Sequence, residues 1–126
     1  MLDSEFKLSQ IGVIMLGVKD VKRAVEFYRD KLGLSMTSSF EGFAFLGTAG
    51  ATLVLSEALA RATGGAAAGA TEVVFSVPDV RAAYEALRAR GVKFTIGPRV
   101  VSGPMWAANF RDPHGHGLSV FGPEHA

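Results

Sequence analysis

Apolar and polar positions along the chain follow two patterns in turn, first that of a strand and then that of a helix. Residues 11–18 form a continuous apolar run of strand-forming residues, which predicts a buried strand. Apolar residues then recur at helical spacing, at Val21, Ala24, Val25, Tyr28 and Leu32. Asp20 stands where an N-cap is needed and Gly33 where a helix would end, so one amphipathic helix is predicted between them.

The same design occurs a second time, 59 residues further on, so that Val18 corresponds to Val77. The other matching pairs are Asp20 and Asp79, Val21 and Val80, Ala24 and Ala83, Glu26 and Glu85, and Arg29 and Arg88. A repeat of this period indicates two copies of one supersecondary unit, each too small to bury its apolar face alone.

Further strand patterns complete both copies. In the first half they cover residues 34–40, 43–46 and 51–56. In the second half a strand at 72–77 and a helix with the stripe Val80, Ala83, Tyr84 and Leu87 precede strands at 92–96, 105–110 and 118–121. The predicted fold is α+β, with two βαβββ modules forming a curved eight-stranded cleft and helices on its outer face.

The predicted organisation is a single domain over residues 1–126. Its first module covers residues 11–56, its linker 57–70 and its second module 71–122. The linker is rich in Ala and Gly, with one helical turn predicted at 57–61. Residues 1–10 are predicted to be a short added strand or a loose arm.

Composition and charge exclude several classes of function. The net charge is +1 and the charged residues are interspersed, which gives no electrostatic case for nucleic acid or for an anionic membrane. The absence of Cys excludes disulfides, thiolate metal sites and Cys nucleophiles. The longest apolar run is far too short to span a bilayer, and no signal pattern precedes it, so we expect a cytoplasmic protein.

Two segments resemble the vicinal oxygen chelate superfamily, which includes glyoxalase I, extradiol dioxygenases and bleomycin-resistance proteins. They are residues 18–34, from Val18-Lys19-Asp20 to Gly33-Leu34, and the turn Asp112-Pro113-His114-Gly115-His116. The resemblance extends over about residues 11–121. It implies paired βαβββ modules, a cleft that binds a small molecule, and homodimerisation. It says little about the reaction, because one fold carries many chemistries.

The resemblance also implies where a metal would be held. Enzymes of this superfamily bind a divalent metal on His, Gln and Glu side chains of the first and last strands of each module. The corresponding positions here are Val13, Val54, Glu72 and Ser119. Valine cannot ligate and serine is a poor ligand, whereas a catalytic zinc site needs about three good protein donors. We therefore predict that the metal site is lost and that no cofactor is bound.

Three other side chains are candidate metal donors, namely those of Glu57, His114 and His116. Glu57 follows the strand at 51–56, but strand alternation places it on the face opposite Val54. His114 and His116 could chelate as a His-x-His pair. They lie in a reverse turn, which predicts solvent-exposed histidines instead.

Without a metal, the cleft is predicted to be an apolar and aromatic pocket with one carboxylate. Its predicted ligand-binding residues are Val13, Met15, Phe45, Val54, Glu72, Trp106, Phe110, Ser119 and Phe121. Trp106, the only Trp, could stack on a ligand or simply pack in the core. Glu72 could pair with a ligand, act as an acid or base after desolvation, or reach solvent. Arg99 and Arg111 are placed at the rim.

Two functions from different classes follow. The first is a metal-free protein, similar to the bleomycin-resistance branch, that binds a small aromatic or hydrophobic molecule as a homodimer and has no catalytic residues. The alternative is a metal-dependent lyase, isomerase or dioxygenase of the same superfamily. A metal-free enzyme that uses Glu72 is a third interpretation.

Overall fold

The structure is a computed structural model that describes residues 11–64 and 72–126. The predictions for residues 1–10 and for the linker beyond Gly64 lie outside these residues. The elements, in chain order, are β1 (Val13–Gly17), α1 (Val21–Val25), a π-helix (Glu26–Lys31), β2 (Ser35–Phe40), β3 (Phe43–Gly47), β4 (Thr52–Ser56), α2 (Glu57–Ala62), β5 (Glu72–Ser76), α3 (Val80–Ala89), β6 (Phe94–Ser102), β7 (Met105–Arg111) and β8 (Gly117–Pro123).

The strands form two sheets of identical topology. The strand order is β1-β4-β3-β2 in the first sheet and β5-β8-β7-β6 in the second. In each sheet the first and last strands of the module pair in parallel, and the other pairs are antiparallel. The repeated βαβββ module and the α+β class are therefore confirmed. Among the described residues, the eight strands remain two sheets of four, with no ladder between them.

Both module helices are capped at their N-termini by the predicted aspartates. The Asp20 carboxylate accepts a hydrogen bond from the backbone N–H of Arg23 (3.2 Å), and Asp79 accepts one from Ala82 (2.8 Å). Each bond satisfies a backbone donor that the first helical turn leaves free. Gly33, just after the first helix, has φ +85°, a conformation that glycine adopts without steric cost.

The first helix differs from the regular α-helix predicted for it. After Val25 it becomes a π-helix, and the Leu32 N–H donates to the carbonyl of Phe27 at 3.1 Å. The wider π turn brings two consecutive aromatic side chains, Phe27 and Tyr28, into the interior. A helical period of 3.6 residues gives no sign of this change.

Strand β6 is longer than predicted, because it continues through Gly97 and Pro98 to Ser102. Its pairing with β7 shifts register at three points. β6 is an edge strand, and an edge strand tolerates a proline at a bulge because no outer ladder needs the missing N–H. The Gly-Pro pair therefore bends the strand without ending it.

The two modules of the chain contact each other directly. Phe27 of the first module packs against Phe110 of the second, with ring centroids 6.5 Å apart. The buried Tyr28 hydroxyl donates to the Asp112 carboxylate at 2.8 Å. Burial and the adjacent Asp112 raise the pKa of Tyr28, so its hydroxyl stays a donor. No helix within residues 11–64 or 72–126 is long and apolar enough to cross a membrane.

Candidate functional site

One face of the first sheet carries a row of apolar side chains. Met15 of β1 pairs with Val54 of β4, and Val54 pairs with Phe45 of β3. Paired residues on neighbouring strands point to the same face, so these three form a continuous row. Together with Val13 and Phe40, they are called the first open face. Val13 is 50% exposed and Met15 45%, although both are large apolar residues.

The equivalent face of the second sheet is mixed in character. Val74 pairs with Ser119, and Ser119 in turn pairs with Asn109. Val74 is 51% exposed, whereas Ser119 is buried between its neighbours. The second open face is defined by the residues that share this side of the sheet, namely Glu72, Val74, Ser76, Ile96, Arg99, Ala107, Asn109, Ser119 and Phe121.

Two of the predicted ligand-binding residues, Trp106 and Phe110, lie on the other side of the second sheet. Phe110 pairs with Leu118, is 2% exposed, and packs in the core with Phe94. Trp106 pairs with Gly122, and the Arg81 guanidinium lies 5.0 Å from its ring centroid. The prediction that they line the cleft is therefore wrong, because strand alternation gives the open face to Ala107 and Asn109 instead.

A hydrogen-bonded network of four polar side chains crosses the second open face. The Glu72 carboxylate accepts from the Ser119 hydroxyl (2.9 Å) and from the Asn109 amide nitrogen (3.0 Å). The Asn109 amide oxygen accepts from the Arg99 guanidinium at 2.8 Å. The sequence indicated Glu72 and Ser119, but not their connection through Asn109 to Arg99. The irregular pairing of β6 with β7 determines this connection, and no short pattern in the sequence predicts it.

The side chains at the four predicted metal positions do not fit the divalent metal of related enzymes. Val13 and Val54 have no donor atoms. Glu72 is the only anionic donor, and both of its oxygens already accept hydrogen bonds from Ser119 and Asn109. In the part of the chain that the structure describes, no group of three or more His, Cys, Asp or Glu could hold a metal ion.

The Glu57 carboxylate has a structural role at the start of α1. It accepts a hydrogen bond from the backbone N–H of Val21 at 2.9 Å. This N–H belongs to the first helical turn and has no partner within the helix, so the Glu57 carboxylate satisfies it. Glu57 therefore joins α2 to α1 and does not supply the missing metal donor.

The turn at residues 112–116, between β7 and β8, docks the second module onto the first. His116 is only 8% exposed, and its Nε2–H donates to the carbonyl of Gly17 at 2.6 Å. The Nε2 of His114 accepts from the N–H of Asp20 at 3.3 Å. The prediction that both histidines are solvent-exposed is wrong, because this turn meets the β1–α1 junction. Its histidines hold the modules together and are not free to chelate.

A cavity of about 510 Å³ lies between the two modules. Its first-module wall includes Ile14 and Leu53, and its second-module wall is the segment 73–76 of β5. It shares Val74 and Ser76 with the second open face. Most of the lining is apolar, as in pockets that bind small organic molecules.

Comparison with solved structures gives relatives of the same fold. A glyoxalase/bleomycin resistance protein/dioxygenase from Nocardioides is 29% identical, with 95% of this chain and 87% of that chain covered and a TM-score of 0.77. A lactoylglutathione lyase from Agrobacterium tumefaciens is 22% identical, with coverages of 93% and 96% and a TM-score of 0.77. TnmS3, an antibiotic-binding protein from Streptomyces sp. CB03234, is 22% identical, with coverages of 94% and 99% and a TM-score of 0.78.

Comparison with curated protein sequences gives no match. The family model of the Glyoxalase/Bleomycin resistance protein/Dioxygenase superfamily matches residues 10–120, which is nearly the whole chain and includes both modules. The repeated βαβββ topology and the solved relatives agree with this match. The chain belongs to the Glyoxalase/Bleomycin resistance protein/Dioxygenase superfamily.

Proposed function

We propose that this protein binds a small aromatic or hydrophobic molecule against its open sheet faces, without a metal. The observation that carries the proposal is the exposed apolar row of the first open face, where Val13 and Met15 are about half exposed. Valines also stand at two of the four positions that hold a metal in related enzymes. A surface of this composition gains free energy by removing apolar area from water, and it offers a cation no ligands.

The proposal includes a homodimer in which a second copy of the chain covers the open faces. One chain exposes large apolar residues on both sheets, among them Val13, Met15, Phe40 and Val74. A sheet with one exposed apolar face is stable when another layer covers it, and exposed apolar patches commonly mark interfaces or binding grooves. TnmS3 has the same fold, and its description as an antibiotic-binding protein supports a binding role for this architecture.

The test is a thermal-shift panel with 2-naphthamide, bleomycin, and the divalent cations Ni²⁺, Zn²⁺ and Mn²⁺. An organic probe that binds the folded state should raise the melting temperature by several degrees, since a ligand at 100 times its Kd adds about 2.7 kcal/mol. The cations should leave it unchanged. Light scattering on the same protein should give twice the 13.3 kDa chain mass.

Two methionine variants locate the binding surface. Met15→Glu places a charge in the first open face and should abolish stabilisation by the organic probe. Met36→Glu is the matched control, because Met36 is similarly exposed but pairs with Leu46 on the other face of the sheet. Equal effects of the two variants, or no stabilisation by any organic probe, would contradict the proposal. A large rise with Ni²⁺ or Mn²⁺ would instead favour the metal-dependent enzyme.

A further inference from the structure

We propose that the second open face contains an anion subsite at Arg99, so that the ligand is an aromatic or hydrophobic molecule carrying a carboxylate. This inference rests on the proposed binding function and narrows its ligand class. The subsite arises from three features of Arg99: how it is held, which of its donors remain unused, and what surrounds it.

Arg99 is held in place by two acceptors on β7. Its Nη1 donates to the Asn109 side-chain oxygen (2.8 Å) and to the Ala107 carbonyl (3.3 Å), and the side chain is half-buried. These bonds involve only Nη1. The N–H groups of Nε and Nη2 make no hydrogen bond to other described residues. Together they form the planar edge that matches both oxygens of a carboxylate.

The charge of Arg99 has no direct counter-ion in the described part of the chain. Two other arginines do have one: Arg29 Nε lies 2.7 Å from Asp30, and Arg81 Nε lies 3.0 Å from Glu124. The Glu72 carboxylate is connected to Arg99 only through the Asn109 amide, which accepts from Arg99 and donates to Glu72.

The Asn109 amide therefore separates the two charges. A half-buried guanidinium without an ion-pair partner attracts an anion, because it has lost part of its hydration without gaining a counter-charge.

Apolar neighbours give the rest of the ligand a place to lie. Arg99 pairs with Ala107, which pairs in turn with Phe121, and the exposed Ile96 pairs with Asn109. A ring placed over Ala107, between Phe121 and Ile96, would have its carboxylate beside Arg99. A hydrogen bond to a charged group contributes enough to separate a carboxylate from its neutral amide by about 10–100-fold in affinity.

The experiment compares the affinities of 2-naphthoate and 2-naphthamide, which share a ring system and differ in charge, by titration calorimetry. The wild-type protein should bind 2-naphthoate about 10-fold or more tightly, and the preference should shrink as salt is added. Arg99→Gln should remove the preference, because it should weaken the binding of 2-naphthoate much more than that of 2-naphthamide. Arg99→Lys, which keeps the charge but not the planar edge, should retain part of it.

Lys93→Ala is the matched control, because it removes one positive charge from an exposed position just before β6. It should leave the preference unchanged. If 2-naphthamide binds as tightly as 2-naphthoate, or if Arg99→Gln keeps the preference, the anion subsite alone is overturned. If neither probe binds the wild-type protein, the proposed function fails together with the subsite.

Discussion

Asp112 is the acceptor on which the contact between the two modules depends. One of its carboxylate oxygens accepts from the backbone N–H groups of His114 and His116, both at 2.9 Å. The other accepts from the Tyr28 hydroxyl at 2.8 Å. Asp112 is buried, so each donor matters more than it would at the surface. The turn is thereby shaped to present both histidine rings to the first module.

The His114 ring makes the stability of the protein sensitive to mild acid. Burial lowers the pKa of His114, although the nearby Asp112 carboxylate opposes this effect. The unfolded chain therefore binds more protons at pH values below about 6.5, so stability is complete above that value and is lost as the pH falls. Urea denaturation at pH 7.5 and 5.0 should show the loss.

His114→Gln should reduce this loss, because an amide does not titrate and can still accept from the Asp20 N–H. His125→Gln is the control, because that ring is exposed near the C-terminus. Asp30 and Asp79 also have lowered pKa values, but they lose their contribution only near pH 4 and below. A slope between pH 7.5 and 5.0 that is unchanged by His114→Gln would contradict the assignment.

At the scale of elements, β8 passes very close to the chain between β5 and α3. The Val77 N–H donates to the Phe121 carbonyl at 3.0 Å, and the next residue of β8 is Gly122. A Cβ atom at Gly122 would overlap the Val77 carbonyl oxygen. The glycine therefore lets the last strand lie against the start of α3, where Asp79 caps the helix.

Gly122→Ala should destabilise the protein by about 3 kcal/mol, because the backbone of Val77 cannot move as a side chain can. Gly50→Ala is the matched control, since a Cβ there would have no atom within 4 Å. It should change the free energy of unfolding by less than about 0.5 kcal/mol. Chemical denaturation measures both. Similar values for the two variants would show that β8 can shift away from Val77.

The pattern of apolar and polar residues predicts which face of the sheet a side chain occupies for some strands and not for others. Alternation along β1 and β4 correctly placed Met15 and Val54 on one face, because both strands are short and regular. The prediction for Trp106 is wrong because the facing of β7 depends on its register with β8 across a five-residue turn. Arg99 could not be placed, because the register of β6 shifts three times. The face on which such a residue lies is determined by which residues pair across strands. The spacing of apolar residues within one strand does not encode that pairing.

At the scale of the whole molecule, the two modules share one interior. Besides Tyr28 and Asp112, the Arg90 guanidinium of the second module donates to the Lys31 carbonyl of the first at 3.0 Å. The core cluster includes residues from both sheets and both module helices. Because neither module buries its apolar face alone, we expect them to unfold in a single transition.

Tyr28→Phe should test this coupling, because it removes the donor to buried Asp112 and should cost about 1–3 kcal/mol. Trp106 reports the second module by fluorescence, and far-UV circular dichroism reports both modules. The unfolding transitions followed by fluorescence and by circular dichroism should have the same midpoint, and Tyr28→Phe should lower both midpoints equally. Tyr84→Phe is the control, since the Tyr84 hydroxyl makes no hydrogen bond to the residues that the structure describes. A Trp106 transition that separates from the dichroism signal would contradict a single unit.

The position of Trp106 on the helix side of its sheet also decides how a ligand can be detected. Its indole contacts Arg81 of α3 and faces away from the second open face. Quenching of the natural tryptophan is therefore a poor screen, and a true binder could pass through it unnoticed. Exchanging the roles of two aromatic positions, with Trp106→Phe and Phe121→Trp, would move the chromophore to the side where ligands are expected to bind.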